Sequence, residues 1–241
     1  MKGDCLELMK SIPDASVDMI LCDLPYGTTQ NKWDSVIPLD LLWAQYTRII
    51  KHGGAIVLHA GQPFSSVLTC SNLEQFKYQW TWVKTKITGV LNAKKMPVRK
   101  HEQVLVFASG KTIYNAQGLV ACDVTRTDKV SHSSNNYGKR GGVEYNQSWT
   151  NWPRDVLEIP SQGKTVHPTQ KPVPLAEYLI RTYTDEGMTV LDNCMGSGTT
   201  GVACASTGRN FIGIEMDEKY FEIAKNRVES AYSKNELEEL K

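Results

Sequence analysis

The segment TVLDNCMGSGTTGVA, Thr189 to Ala203, holds three signals side by side. A β-branched apolar run ends in the acid Asp192, glycines follow at 196 and 198, and a helix-forming run starts near Thr199. Glycine at such a turn lets backbone approach a ligand closely, and the free N–H groups at the helix start favour the ligand's negative end. Farther on, FIGIEMDEKY (211–220) closes a second strand with Glu215. That is the offset, about 20 residues, at which an acid accepts hydrogen bonds from ribose hydroxyls. The pair reads as a nucleoside-binding βαβ unit. Dinucleotide binding is the rival reading, since GSGTTG at 196–201 has the GxGxxG spacing. Two GKT strings, at 110–112 and 163–165, fail as phosphate loops because the first glycine of that motif would fall on Leu105 and Glu158.

Apolar and amphipathic runs alternate outward from this unit, the pattern of an α/β sheet. Strands are expected at 17–22, 54–60, 103–108, 188–193 and 210–215, and helices at 39–51, 63–70, 173–184, 198–207 and 217–232, the last capped by Asp217. The alternation weakens between about 84 and 166, and residues 131–151 are rich in Asn, Ser, Gly and Tyr. The chain of 241 residues thus reads as one domain carrying an insertion over about 85–160. A net charge of +1 does not by itself advertise a nucleic-acid partner. The six cysteines form no CxxC pair, which fits reduced thiols and no metal site. The start, MKGDCLELMK, has no apolar signal region, and no run of about 18 apolar residues occurs, so a cytoplasmic protein without a membrane partner is expected.

A second strand, VDMILC, runs into Asp23, Leu24, Pro25 and Tyr26. Ligands in open α/β sheets gather outside the carboxyl ends of strands, so this tetrapeptide is the natural other half of the site. The Asp23 carboxylate and the Leu24 carbonyl can both accept from an amino group on a flat ring, Pro25 stiffens the loop, and Tyr26 offers a stacking face.

With these pieces in view, the chain resembles the amino-group DNA methyltransferases that use S-adenosyl-L-methionine. Their signature (D/N/S)PP(Y/F/W) is DLPY here, and their cofactor motif resembles LDNCMGSGTT. The likeness extends to GDCLELMKSIPDASVDMILCDLPYG, KHGGAIVLHA, HEQVLVFA and HPTQKPVPLAEYLI. Because DLPY precedes the glycine turn, the order is that of the permuted beta group. The resemblance implies a Rossmann-like, largely parallel twisted sheet with helices on both faces and an inserted target-recognition region. It implies methyl transfer to adenine N6 of a flipped base, with cytosine N4, an RNA adenine or a non-catalytic DNA-binding module as alternatives. It implies Asp23, Leu24, Pro25 and Tyr26 as the catalytic set. Around the cofactor it implies Asp4 near adenine, Glu215 at the ribose, and Asp23, Asp192, Gly196, Ser197, Gly198 and Thr199 towards the methionine end, with Thr169 and Lys171 closing over it. A homodimer and a cognate restriction endonuclease are further implied partners. There are three departures from the pattern: Leu24 replaces a proline, Asn193 and Cys194 replace a common Pro-Phe pair, and Gly3 and Asp4 stand close to Met1.

The reaction asks for positioning. A conjugated amine is nearly planar, and two acceptors on its hydrogens favour a pyramidal nitrogen with its lone pair free. Carbon-5 methylation would need an attacking thiolate, usually in a Pro-Cys pair, and none occurs. For holding DNA, Lys84, Lys86, Lys94, Lys95, Arg99 and Lys100 fall in a stretch without an acid. Lys139, Arg140 and Arg154 are interleaved with Tyr137, Tyr145, Trp149 and Trp152. The first group suits phosphates and the second suits base edges.

Overall fold

The structure, a computed structural model, describes residues 1–27, 35–127, 144–163, 165 and 170–239. It divides into two compact units, Met1–Asn115 with Asp155–Lys241, and Ala116–Arg154.

The larger unit is built on seven strands: β1 (Val17–Asp23), β2 (Ile50–Ala60), β3 (Phe76–Thr88), β4 (Arg99–Phe107), β7 (Val156–Glu158), β8 (Thr189–Asp192) and β9 (Asn210–Gly213). Their order is β7-β3-β4-β2-β1-β8-β9, and every neighbouring pair is parallel except the two that β4 makes. The chain winds outward from β1 to β2 on one side and from β8 to β9 on the other. The strand order therefore reverses between β1 and β8, and the crevice of an open α/β sheet opens there, between the ends that carry Asp23 and Asp192.

Helices cover both faces, and the period of two along each strand assigns them. Ile20 and Cys22 of β1 with Ile56 and Leu58 of β2 pack under α2 (Leu39–Ile49) and α3 (Phe64–Ser71), with Met9 of the short α1 (Cys5–Met9). Met19 and Leu21 with Ala55, Val57, Val104 and Val106 pack under α4 (Val173–Tyr183) and α5 (Thr199–Ser206). The last helix, α6 (Glu218–Glu239), lies on α5, and Gly201 permits the contact, since a Cβ there would meet Val228 and Phe211 at 2.5 and 2.6 Å. Asp217 caps it as expected, accepting from the Tyr220 N–H at 3.0 Å.

Two differences from the sequence-based expectation stand out. The strand β3 was not anticipated, although Phe76, Tyr78, Trp80 and Trp82 alternate along it and the two tryptophans are buried. Residues 85–115 also belong to the main unit, through the ends of β3 and β4, so the second unit is narrower than 85–160. That unit carries the antiparallel pair β5 (Val120–Thr127) and β6 (Glu144–Thr150). Among the described residues no helix is long and apolar enough to cross a membrane.

Candidate active site

The glycine turn forms as the sequence predicts. Asp192 ends β8, Gly196 and Gly198 take φ of +51° and +78°, and α5 starts at Thr199. Asp192 braces the turn, accepting from the Cys194 N–H at 3.1 Å and the Thr200 hydroxyl at 2.6 Å. Burial pushes its carboxyl up to about 6, against the pull of those hydrogen bonds. Glu215 accepts from the Gly196 N–H at 2.9 Å and the Asp217 N–H at 2.8 Å. The Met216 N–H adds a further backbone bond, and of a carboxylate's roughly four acceptor sites one remains for another donor. The Thr199 hydroxyl oxygen is buried without a hydrogen-bond partner among the described residues. Gly198 also has a packing role: a Cβ there would meet Ala224 at 3.0 Å, so this glycine serves the left-handed turn and the seat of α6. Asp4 caps α1, with both the Leu6 and Glu7 N–H groups donating to its Oδ1 at 2.8 and 3.2 Å, and the Gly3 N–H donates to the Glu215 carbonyl. Asn193 is buried and accepts from the Tyr46 hydroxyl at 2.5 Å, which anchors the turn to α2 in place of an apolar pair.

Across the crevice, strand register gathers ionisable groups that sequence reading left apart. Asp23 is in phase with Met19 and Leu21, His59 with Ala55 and Val57, Glu102 with Val104 and Val106, and Lys84 with Trp80 and Trp82. All four therefore share the α4 face, in a row across four adjacent strands at the level where β1 and β2 end. Lys171, just before α4, meets them there. Its Nζ lies 2.5 Å from Asp23 Oδ2 and 3.3 Å from Glu102 Oε2, while Glu102 Oε1 pairs with Lys84 Nζ at 2.9 Å. Burial alone would raise the Glu102 carboxyl, but the Lys171 and Lys84 ammoniums overcome it and bring it down to about 2. Burial likewise pulls Lys171 down, and the Asp23 and Glu102 carboxylates more than offset it. Burial with Lys171 nearby lowers His59 to about 4, which keeps it neutral near pH 7.

The DLPY segment sits at the end of this row. Leu24 is buried in the core under α2, so its side chain fills space that a second proline would leave. The Tyr26 hydroxyl donates to Asp23 Oδ1 at 2.7 Å, and its ring stacks on Phe64 with centroids 5.2 Å apart. One ring face is thus covered, and burial beside Asp23 raises its phenol pKa.

An acid and aromatic at one strand end, facing a nucleoside-type turn across the reversal point of a parallel sheet, agree with what comparison finds. The sequence pattern of the N6/N4 DNA methylase family matches residues 17–226. The chain belongs to the N6/N4 DNA methylase family. It is 30% identical over 258 residues to the DNA adenine methyltransferase YhdJ of Escherichia coli (strain K12), covering 99% of this chain and 86% of that one. It is 42% identical over 301 residues to the Type II methyltransferase M.BglI of Bacillus subtilis, covering 96% and 85%. The solved M1.HpyAVI–SAM complex superposes with a TM-score of 0.66 at 28% identity, covering 94% of this chain and 98% of that one. The cytosine-N4-specific PvuII DNA methyltransferase, at 17% identity and a TM-score of 0.67, shares the fold.

As an N6/N4 DNA methylase the protein uses S-adenosylmethionine as methyl donor. The residues present fit that group: the buried Thr199 hydroxyl, without a partner among the described residues, and the remaining acceptor capacity of Glu215 flank the turn. Lys171, expected over the methionine end, is paired with Asp23 and Glu102. One assignment changes. Lys84, expected on phosphates, is 6% exposed and paired with Glu102 and the Thr88 hydroxyl, so its charge is not available to DNA. Lys94, Lys95, Arg99, Lys100 and Arg154 are exposed, and Lys86 is exposed with its Nζ on the Gln162 and Gly163 carbonyls. Trp149 and Trp152 are also exposed. Thr169, Lys139 and Arg140 lie outside the described residues. Sequence reading missed Glu102, His59 and Phe64; for Glu102 the available signal was an acid two residues before a buried strand core, in phase with it. Among the described residues no cluster of His, Cys, Asp and Glu is arranged to hold a metal.

Proposed function

We propose that the protein methylates the N6 amino group of adenine at one short recognition sequence in duplex DNA, acting on a base flipped out of the stack. The observation that carries this reading is the Asp23 carboxylate at the crevice, hydrogen-bonded by Tyr26 and charge-paired by Lys171. S-adenosylmethionine supplies the electrophilic methyl group. A carboxylate offers about four acceptor sites, of which Tyr26 and Lys171 use two among the described residues, so Asp23 retains capacity for an amino hydrogen. The Leu24 carbonyl takes the second hydrogen, and together they favour a pyramidal nitrogen and offset its developing positive charge. Tyr26, backed by Phe64, stacks on the flipped base with its remaining face. Glu215 holds the ribose, Gly196 to Thr199 line the methionine side, and Asp4 lies towards adenine.

Lys94, Lys95, Arg99 and Lys100 track phosphates, while the 116–154 unit, with Arg154, Trp149 and Trp152, reads the recognition sequence. The name of the E. coli relative supports adenine, and the several relatives named as Type II methyltransferases support a cytoplasmic restriction–modification setting with a cognate endonuclease. The test is expression in a host without DNA methylation, followed by modification-sensitive sequencing of its genome. N6-methyladenine confined to one motif is expected. N4-methylcytosine alone, or no modified base despite cofactor binding, would overturn the assignment.

A further inference from the structure

The strands β3 and β4 continue beyond the sheet edge on which Asp23 stands. Asp23 pairs in register with His59, His59 with Val104, and Trp82 with Glu102, yet the β3–β4 ladder runs on to Thr88 and Arg99. Over that span β4 advances only two residues, from His101 to Arg99, so at about 3.3 Å per residue the ladder rises roughly 7 Å above the level of Val83. It is closed by a left-handed Gly89 (φ +82°) and a 3₁₀ turn over Val90–Asn92.

This tip is apolar and uncovered. Leu91 is 101% exposed, with Val90 at 58%, Met96 at 51% and Ile87 at 48%. Four large apolar side chains on a projecting turn contribute nothing to the core, and such patches mark interaction sites. Around them stand the exposed Lys94, Lys95, Arg99 and Lys100, with no acid from 84 to 100. A second copy of the chain docked here about a two-fold axis would bring these cations face to face. A polyanion with an apolar interior satisfies both halves, and base-paired DNA is one: phosphates outside, stacked rings inside.

We propose that the hairpin tip is a wedge that enters the base stack beside the target nucleotide, with Leu91 as the inserted side chain and Lys94, Lys95, Arg99 and Lys100 on the flanking phosphates. The inference rests on the DNA-methylating reading above. Flipping costs a few kcal/mol of stacking and pairing, and an apolar side chain in the vacated space recovers part of it. The cost is lower where the target base has no partner, so the wedge matters least there.

The test uses the full chain and two duplexes bearing its methylation motif, one with the target base paired and one with an abasic site opposite. For Leu91→Ala, kcat/KM is expected to fall at least about tenfold on the paired duplex and less than about threefold on the abasic one. Affinity for S-adenosylmethionine should be unchanged, and Leu91→Phe, which keeps an apolar wedge, should restore most activity on the paired duplex. Equal activity of Leu91→Ala on the paired duplex, or equal loss on both, would overturn the wedge while leaving the methyltransferase reading intact. So would a wild-type dimer that Leu91→Ala turns into monomers by sedimentation. A wild-type protein that methylates neither duplex would overturn the parent reading instead.

Discussion

Glu102→Gln should destabilise the protein by about 3 kcal/mol at pH 7, a deficit that shrinks in acid. Glu102 faces two ammoniums, Lys84 at 2.9 Å and Lys171 at 3.3 Å, and its side chain is 22% exposed. Its carboxyl is held at about 2 against an ordinary 4.5, a depression worth about 3 kcal/mol of folding free energy. Breaking a buried pair and stranding the partner costs about 3–5 kcal/mol by a separate route, and here the stranded partner is the buried Lys84. The sign follows from the lowered folded-state value. Stabilisation is fully present above the unfolded carboxyl's range and is lost as pH falls towards about 2, with roughly half gone near pH 3.3. Urea unfolding of both proteins from pH 7 down to about pH 3 measures the difference directly. A deficit below about 1 kcal/mol at pH 7, or one that stays constant into acid, would refute the reasoning. Adding Lys84→Met to Glu102→Gln should recover part of the loss, because it removes the stranded charge.

Asp23→Ala should abolish methyl transfer while calorimetry still detects S-adenosylmethionine binding, since Glu102 remains to hold Lys171; an active variant would sink the mechanism. Tyr26→Phe keeps the Phe64 stack but loses the bond to Asp23, worth about 1 kcal/mol, so turnover should fall roughly fivefold, and an unchanged rate would show that bond to be idle. Lys94→Ala with Lys95→Ala should weaken DNA binding alike on all sequences and reduce the slope of log K against log salt by about 2. Lys84→Ala should leave that slope alone and lower stability, and the reverse pattern would return Lys84 to the DNA surface.

Where a signal is local, the sequence sufficed. The glycine turn, Asp192 and the Asp217 cap are set by residues within a few positions of one another, and Glu215 by the length of one βαβ unit, and the turn and the cap form where spacing predicts. The ionic row was invisible because it depends on register among four strands and a helix start, spanning Asp23 to Lys171. Lys84 shows how part of it was nonetheless legible. The alternation Trp80, Trp82, Lys84 puts the lysine in phase with two buried tryptophans, which marks it as facing inward, while a count of cations between 84 and 100 treats it as surface. Phase outweighs composition because side-chain direction in a strand is fixed by the pleat, and a lysine in a buried phase must find a carboxylate. The same logic locates its partner. Glu102 lies in phase with Val104 and Val106 on the neighbouring antiparallel strand, so a reader who had recognised β3 from its aromatic alternation could have paired the two before any coordinates. Beyond Lys84 the inward phase of β3 ends and every residue from 85 to 88 is exposed, so the same hairpin that joins the ionic row around Asp23 also carries the outward tip proposed above as the DNA wedge.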